Sequence, residues 1–370
     1  MKPGPSPAEL RQQVRELTGR WRAEGRYVPR NDSWLRGFDP EFSRALAGLG
    51  LIGLTWPVAC GGRGLPNVAR LAVTEELLRA GAPVAAHWIG DRQIGPSILR
   101  HGSLRLREEI LPGIISADFV FCLCMSEPES GSDLASVRTS AVLEAGAGAG
   151  GGGSGWRVRG RKIWTSGAHR ATHAYLLART ERAADKHQGL TEFIVDMDSP
   201  GIAVSPIVDL TGEHHFNEVT FDDVLVPEHR VLGTVGNGWR QVVEQLSFER
   251  GGPERFLSSY ALLADLLGVA GPAGLQAELG ELTARLATLR RIAWQVSTRL
   301  DAGEAPVTEA ATLKYLGNAF ETDVIEVARR VFGAGHAGFG EALLASPGFS
   351  LRGGAAEVML ALMARQEAAR

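Results

Sequence analysis

The stretch "FVFCLCMSEPESGSD", Phe119 to Asp133, marks the point at which the hydrophobic pattern of the chain changes. Upstream, apolar residues recur every three to four positions. From Phe119 onward, short runs rich in Val, Ile, Phe and Thr are separated by turn residues, which predicts strands. Cys122 and Cys124, at i and i+2, point to the same side of such a strand rather than closing a loop. The run ends in a turn dense in small hydroxyls and glycines, where a flat ligand or a phosphate could approach the backbone closely. A plain turn-and-cap role is the alternative.

Before this point the sequence reads as about four helices. The first opens with Ser6 as N-cap, Pro7 in the first turn and Glu9 completing a capping box, followed by the stripe Leu10, Val14, Leu17 and Trp21. After it, "TSAVLEA", "WRVRGRKIW", "HAYLLART", "TEFIVDM" and "NEVTFDDVLV" continue the strand pattern. "EAGAGAGGGGSG", Glu144 to Gly155, reads as a flexible hairpin tip, since no helix or Lys follows it as a nucleotide loop requires. Beyond Gly238 the helical period returns and persists to the C-terminus. The expected fold class is α+β, mainly α, with domains at 1–118 (helical), 119–235 (β) and 236–370 (helical bundle).

A chain of 370 residues with 44% hydrophobic and 22% charged residues is ordinary globular material. Its net charge of -3 gives no electrostatic footprint for nucleic acid. No run reaches the roughly 18 apolar residues of a membrane span, and "MKPGPSPAEL" lacks a signal-peptide core. With only three cysteines, a cytoplasmic protein is expected. The histidines form no metal pattern: His214 and His215 are adjacent, and His169 and His173 sit at a loop rather than on a helix.

A second strand end, "GRKIWTSGA" (Gly160 to Ala168), pairs an aromatic with two hydroxyls and a glycine; alone it could be a core tryptophan. Together with "CMSEPESGSD", "TWPVACGGRG" (55–64), "HFNEVTFDDVLVP" (215–227) and "LSFER" (246–250), in this order and spacing, it resembles the acyl-CoA dehydrogenase family over nearly the whole chain. That family has an N-terminal helical domain, a central β-barrel or sandwich domain and a C-terminal four-helix bundle.

The resemblance implies FAD as cofactor. It places Leu123, Met125 and Ser126 along the isoalloxazine, with Gly131 and Ser132 near the pyrophosphate and Ser132 also near the pantetheine of the substrate. The Ser126 hydroxyl and nearby backbone amides bond the polar edge of the ring, Trp164 stacks beside it and Ser166 bonds its N5 region. Phe332, Gly333 and Ala334, within "RRVFGAGHAG", match the segment that meets the adenine portion of a partner's FAD. Donors at an edge where negative charge develops contribute roughly 10²-fold or more in rate.

The implied reaction is α,β-dehydrogenation of an acyl-CoA thioester, or of one on a carrier, to the trans-2-enoyl thioester. In many members the base stands in a C-terminal "Glu-Gly-Thr-x-x-Ile" type segment. Here "SLRGGAAEV" (350–358) puts Gly353 at that position, Ala355 at the usual Thr and Glu357 after it, the last two on the cofactor side. Another branch, including isovaleryl-CoA and long-chain acyl-CoA dehydrogenases, takes its base from a "Leu-x-x-Glu-Arg" segment, which assigns the role to Glu249. Gly353 then keeps its N–H for the thioester oxygen and leaves room for that carboxylate. Arg250 falls on the residue that meets the CoA or acyl end, and Arg352, where Tyr is common, brings a charge to pair with a Glu or a polar substrate. No metal is implied.

One departure bears on FAD affinity and subunit arrangement: "ALLADLLGVAGPAGLQ" (261–276) replaces the Arg-x-x-Phe-Gly segment that usually follows. Partners implied are an acceptor such as an electron-transfer flavoprotein and further subunits, as a homo-oligomer (dimer or tetramer) or a hetero-oligomer with a related chain. Two other readings stand beside the dehydrogenase: an oxidase or monooxygenase of the same fold, and a non-catalytic partner subunit.

Overall fold

The computed structural model describes residues 4–146 and 154–368, except for the side chains of residues 246–249, 334 and 367. The side chains of Glu249 and Ala334, and most of the glycine-rich tip expected to be flexible, therefore lie outside the described residues. The chain forms two compact units, one of Met1–Asp39, Gly64–Ala85 and Leu246–Arg370, the other of Pro40–Arg63 and Ala86–Gln245.

The second unit carries one eight-stranded sheet. Its strands are β1 (Phe121–Cys124), β2 (Ser140–Glu144), β3 (Gly155–Lys162), β4 (His173–Arg179), β5 (Leu190–Asp196), β6 (Ile202–Ile207), β7 (Phe216–Pro227) and β8 (Val231–Leu232). They lie in the order β6, β7, β3, β2, β4, β5, β8, with β1 parallel to β4. β4 and β5 are buried almost throughout, which is why "HAYLLAR" and "LTEFIVD" read as near-continuous apolar runs. Cys122 and Cys124 point together into the core with Trp156, Leu176, Phe193 and Phe221, as free thiols.

Six of these strands coincide with predicted runs. β6 and β8 do not: β6 contains Pro206, lies at the sheet edge and is only partly covered, and β8 has two residues. Register breaks between Val158 and Gly160, where β3 bulges against β7. Gly160 has φ +155°, and a Cβ there would lie 2.4 Å from Thr139 Oγ1, so only glycine fits the bulge just ahead of Lys162 and Trp164. In the same unit, "TWPVACGGRG" is a packing device: Trp56 is 2% exposed, and a Cβ at Gly95 would fall 1.9 Å from its ring.

The first unit is helical. Pro7–Ala23 begins as its sequence dictates: Ser6 N donates to Glu9 Oε2 at 2.7 Å, Ser6 Oγ accepts from Glu9 N at 3.3 Å, and the predicted stripe is buried. This helix packs on Asn67–Arg79, which packs on the 29-residue helix Ala273–Asp301; Val307–Phe332 packs against both Ala273–Asp301 and Ala356–Ala368. Glu75 and Glu76, nearly fully buried, are held by Arg11, Arg15 and Arg290. Burial alone pushes both carboxyls up, but these guanidiniums hold them below the ordinary value.

Seven α-helical segments, rather than about four, precede residue 118 among the described residues. The additional ones include Ser33–Arg36 and Ala85–Ile89, whose four and five residues are too short to establish a period.

Candidate active site

Two strand ends in the sheet-bearing unit meet around a buried ion pair. Lys162, the last residue of β3, is fully buried; its Nζ donates to Met125 O and to Glu127 Oε1, each at 2.9 Å. Glu127 also accepts from Arg138 N at 2.7 Å and from Thr139 N at 2.9 Å. Ile163 N closes the bracket on Ser126 O at 2.9 Å. Burial pushes the Glu127 carboxyl up, but the Lys162 charge and then these hydrogen bonds hold it below its ordinary range; burial lowers the Lys162 ammonium in turn, and the Glu127 charge opposes that. The sequence-predicted residues Met125 and Ser126 are thereby locked to the segment that bears Trp164 and Ser166.

Trp164 is 56% exposed and stands in the left-handed region at φ +59°, with its ring edge-on to Phe216 at 5.7 Å. It is not a core tryptophan. A large apolar ring held outward on a strained backbone is unusual and marks a surface built for contact. The turn is stapled to β7: Thr165 N donates to Asn217 O at 2.9 Å, Asn217 Nδ2 donates to Thr165 O at 2.9 Å, and Gly167 N donates to His215 O at 2.7 Å. Thr165 is buried and its Oγ1 has no partner among the described residues, while Ser166 is half-buried beside it. Leu123 is half-buried on β1. Gly131 and Ser132 are exposed, in a turn fixed by Glu127 N to Ser130 O and Ser130 N to Glu127 O at 2.9 and 3.0 Å. An added Cβ at Gly131 meets nothing within 4 Å.

Glu127, Lys162 and Asn217 were not singled out from sequence, although all three lie inside quoted motifs. A Lys and an Asn at inward-facing strand positions are the available signal, because buried polar groups need partners.

In the other unit, "SLRGGAAEV" forms a turn before the helix Ala356–Ala368. Gly353 and Gly354 have φ +70° and +105°. Arg250, at the end of the helix Gly238–Arg250, donates from Nε to Gly353 O at 3.3 Å, which brings two predicted site residues together. A Cβ at 353 would lie 2.8 to 3.0 Å from the Arg255 guanidinium. The described group occupying the place of a side chain at 353 is thus Arg255, a neighbour the sequence did not indicate. Arg352 grips the buried Asp32, with Nη2 2.7 Å from Oδ1, and its charge also acts on the buried Glu321. Ala355 is half-buried and Glu357 exposed. Phe332 closes the helix Val307–Phe332 with its ring stacked on His336 at 4.2 Å, and Gly333 follows at φ +64°.

Family models describe residues 8–118 as an acyl-CoA dehydrogenase N-terminal domain, 122–224 as the middle domain and 269–368 as the C-terminal domain. Acyl-CoA dehydrogenase FadE29 of Mycobacterium tuberculosis is 34% identical over 280 residues, covering 72% of this chain and 69% of the relative. Acyl-CoA dehydrogenase IpdE1 of Mycolicibacterium smegmatis is 42% identical over 212 residues, 57% of this chain and 54% of the relative. The chain spans about half the length of the IpdE1 relatives it matches. A solved structure described as "Tcur3481-Tcur3483 steroid ACAD" superposes with a TM-score of 0.84 at 25% identity, covering 99% of this chain and 98% of that one. The chain belongs to the acyl-CoA dehydrogenase family, whose members are flavin-dependent oxidoreductases acting on CH–CH bonds.

The residues present fit a flavin. Trp164 offers an exposed aromatic face, Ser126 and Ser166 offer hydroxyls at the adjoining strand ends, and the Gly131 turn has open space for a close backbone approach.

Proposed function

We propose that this chain is an FAD-dependent dehydrogenase of acyl-CoA thioesters, divided along the sequence into the domains 1–118, 119–235 and 236–370. The observation that carries the reading is the bracket Met125–Glu127–Lys162, which fixes an outward-facing Trp164 beside Ser126 and Ser166. FAD, when bound, supplies the acceptor for the β-hydrogen and its electron pair. Trp164 shields that reaction from water, while Ser126, Ser166 and neighbouring backbone amides orient the polar edge of the ring. Leu123 and Met125 provide apolar contact, and Gly131 and Ser132 receive the phosphate and pantetheine portions.

On the substrate, Glu249 takes the α-proton onto its carboxylate and Gly353 N–H polarises the thioester oxygen. Such a base works best with its pKa near the operating pH, which burial and a bound thioester favour. Arg250, already tied to Gly353 O, faces the CoA or acyl end. Phe332, Gly333 and Ala334 meet the adenine portion of a partner's FAD, and Ala355 and Glu357 complete the cofactor wall. The electron acceptor is proposed to be an electron-transfer flavoprotein.

A second reading, that the chain is one half of a paired assembly, is favoured by the solved steroid ACAD whose description joins two components. The same likeness makes sterol-type thioesters part of the substrate proposal. The test is purification, a flavin absorption spectrum, and anaerobic addition of straight, branched, aromatic and sterol-type acyl-CoAs. Bleaching by at least one supports dehydrogenation. Peroxide or a hydroxylated product in air would instead identify an oxidase or monooxygenase. A colourless protein that gains flavin only with a second related chain would support the paired assembly.

A further inference from the structure

Arg352 stands immediately before two glycines in left-handed conformations. Its guanidinium is tied down at both terminal nitrogens. Nη1 pairs with Asp32 Oδ2 and Nη2 with Asp32 Oδ1 at 2.7 Å, while Nη2 also reaches Ser258 Oγ at 3.4 Å. The rings of Trp34 and Phe349 lie 4.8 and 4.7 Å from its central carbon. A bidentate fork to a carboxylate fixes the geometry of the pair, and the aromatic faces add stacking contacts.

The seat itself is rigid. Asp32 is 1% exposed, and its N–H donates to Ser258 O at 2.6 Å. Ser258 Oγ accepts from Trp34 Nε1 at 2.9 Å and donates to Glu254 O at 2.7 Å. On the far side of the turn, Arg250 holds Gly353 O, and the Arg255 guanidinium fills the place a Cβ at Gly353 would take. The peptide joining residues 352 and 353, which carries the Gly353 N–H, thus lies between two anchors, the Arg352 side chain before it and the carbonyl of the following peptide behind it.

We propose that Arg352, anchored on Asp32, is a positioning residue that aims the Gly353 N–H at the thioester oxygen. This rests on the reading that Gly353 supplies that donor. A charge at this place is then not a substrate contact but the brace for a flexible Gly-Gly turn. A misplacement of about 1 Å at a reacting centre costs up to roughly 10²-fold in rate, so loss of the brace acts on turnover rather than on substrate capture.

The experiment uses the FAD-loaded protein, together with any chain that copurifies, and compares wild type with Arg352→Met, Arg352→Lys, Asp32→Asn and the double variant Asp32→Asn/Arg352→Met. The panel acyl-CoA that reduces wild type fastest serves for kinetics. The same compound, isotopically labelled at its thioester carbonyl, serves for infrared difference spectra in a Glu249→Gln background. Expected are a fall in kcat of roughly 10- to 100-fold with KM within about twofold, unchanged flavin content, and a carbonyl stretch moved back toward its value in water. The double variant should lose no more than the worse single variant. Arg352→Lys keeps the charge without the fork, so it provides a folded test should Arg352→Met fail to fold. Wild-type kcat and carbonyl stretch in Arg352→Lys and Asp32→Asn would overturn the positioning role alone. Failure of every acyl-CoA to bleach wild type would overturn the dehydrogenase reading and this proposal with it.

Discussion

Replacing Lys162 with Met tests whether the buried ion pair organises the flavin side of the site. Methionine nearly preserves the side-chain volume, so the change removes charge and donors rather than creating a cavity. Lys162 is 0% and Glu127 7% exposed. The variant strands the carboxylate with two backbone N–H donors and leaves Met125 O without its 2.9 Å donor. Breaking a buried pair by removing one partner costs about 3–5 kcal/mol. The two remaining donors place the expected loss near the lower figure, about 3 kcal/mol. For a 150–250-residue domain that is a drop in Tm of roughly 6–12 °C. Because Lys162 joins residues 125–127 to the Trp164 turn, flavin per polypeptide should fall as well. Converting Glu127 to Gln in the same protein removes the stranded charge and keeps one acceptor oxygen for either the Arg138 or the Thr139 N–H, and should recover part of the lost stability. The assay is thermal unfolding together with the ratio of flavin to protein absorbance. Lys162→Met within about 1 kcal/mol of wild type and with full flavin content would show that the pair is incidental.

Trp164→Ala should alter stability by less than about 1 kcal/mol, because the side chain is mostly exposed, yet weaken FAD by up to about tenfold in a titration of the apoprotein. Gly353→Ala forces an L-residue to φ +70° against Arg255, costing about 1–2 kcal/mol, and should depress kcat more than it raises KM. Burial raises the carboxyls of Glu192 and Glu321 to about 8. Both are therefore neutral in the fold, so their effect on stability is absent below the unfolded value near 4.5 and grows as pH rises toward 8. Each group lowers stability at alkaline pH by on the order of 4–5 kcal/mol. Glu192→Gln should remove about half of that pH-dependent decline between pH 5.5 and 8.5, measured by denaturant titration; an unchanged slope would refute the assignment.

The capping box at Ser6, the stripe through Trp21 and the alternating strands were legible because each is set by contacts within a few residues. The edge strand β6 was hidden by Pro206 and its partial exposure. The segment Ser33–Arg36 was hidden by its brevity, although it delivers Asp32 and Trp34 to the helical unit. The motifs located both strand ends of the candidate site, yet their internal logic is long-range. Lys162 and Glu127 meet across 35 positions, and Arg352 and Asp32 across 320. Local pattern carries no information about such pairs. Likewise, nothing local announces the Arg255 guanidinium beside Gly353, where the short helical turn Pro253–Arg255 brings it.

The most direct test of the central claim is rapid-mixing reduction of the purified, flavin-loaded protein by its best acyl-CoA without oxygen, comparing wild type with Glu249→Gln. If Glu249 is the base, both proteins carry the same flavin and bind the thioester, while the rate of bleaching falls by at least roughly 10²-fold in the variant. Equal bleaching rates would contradict the account and move the proton-abstracting group elsewhere in the chain.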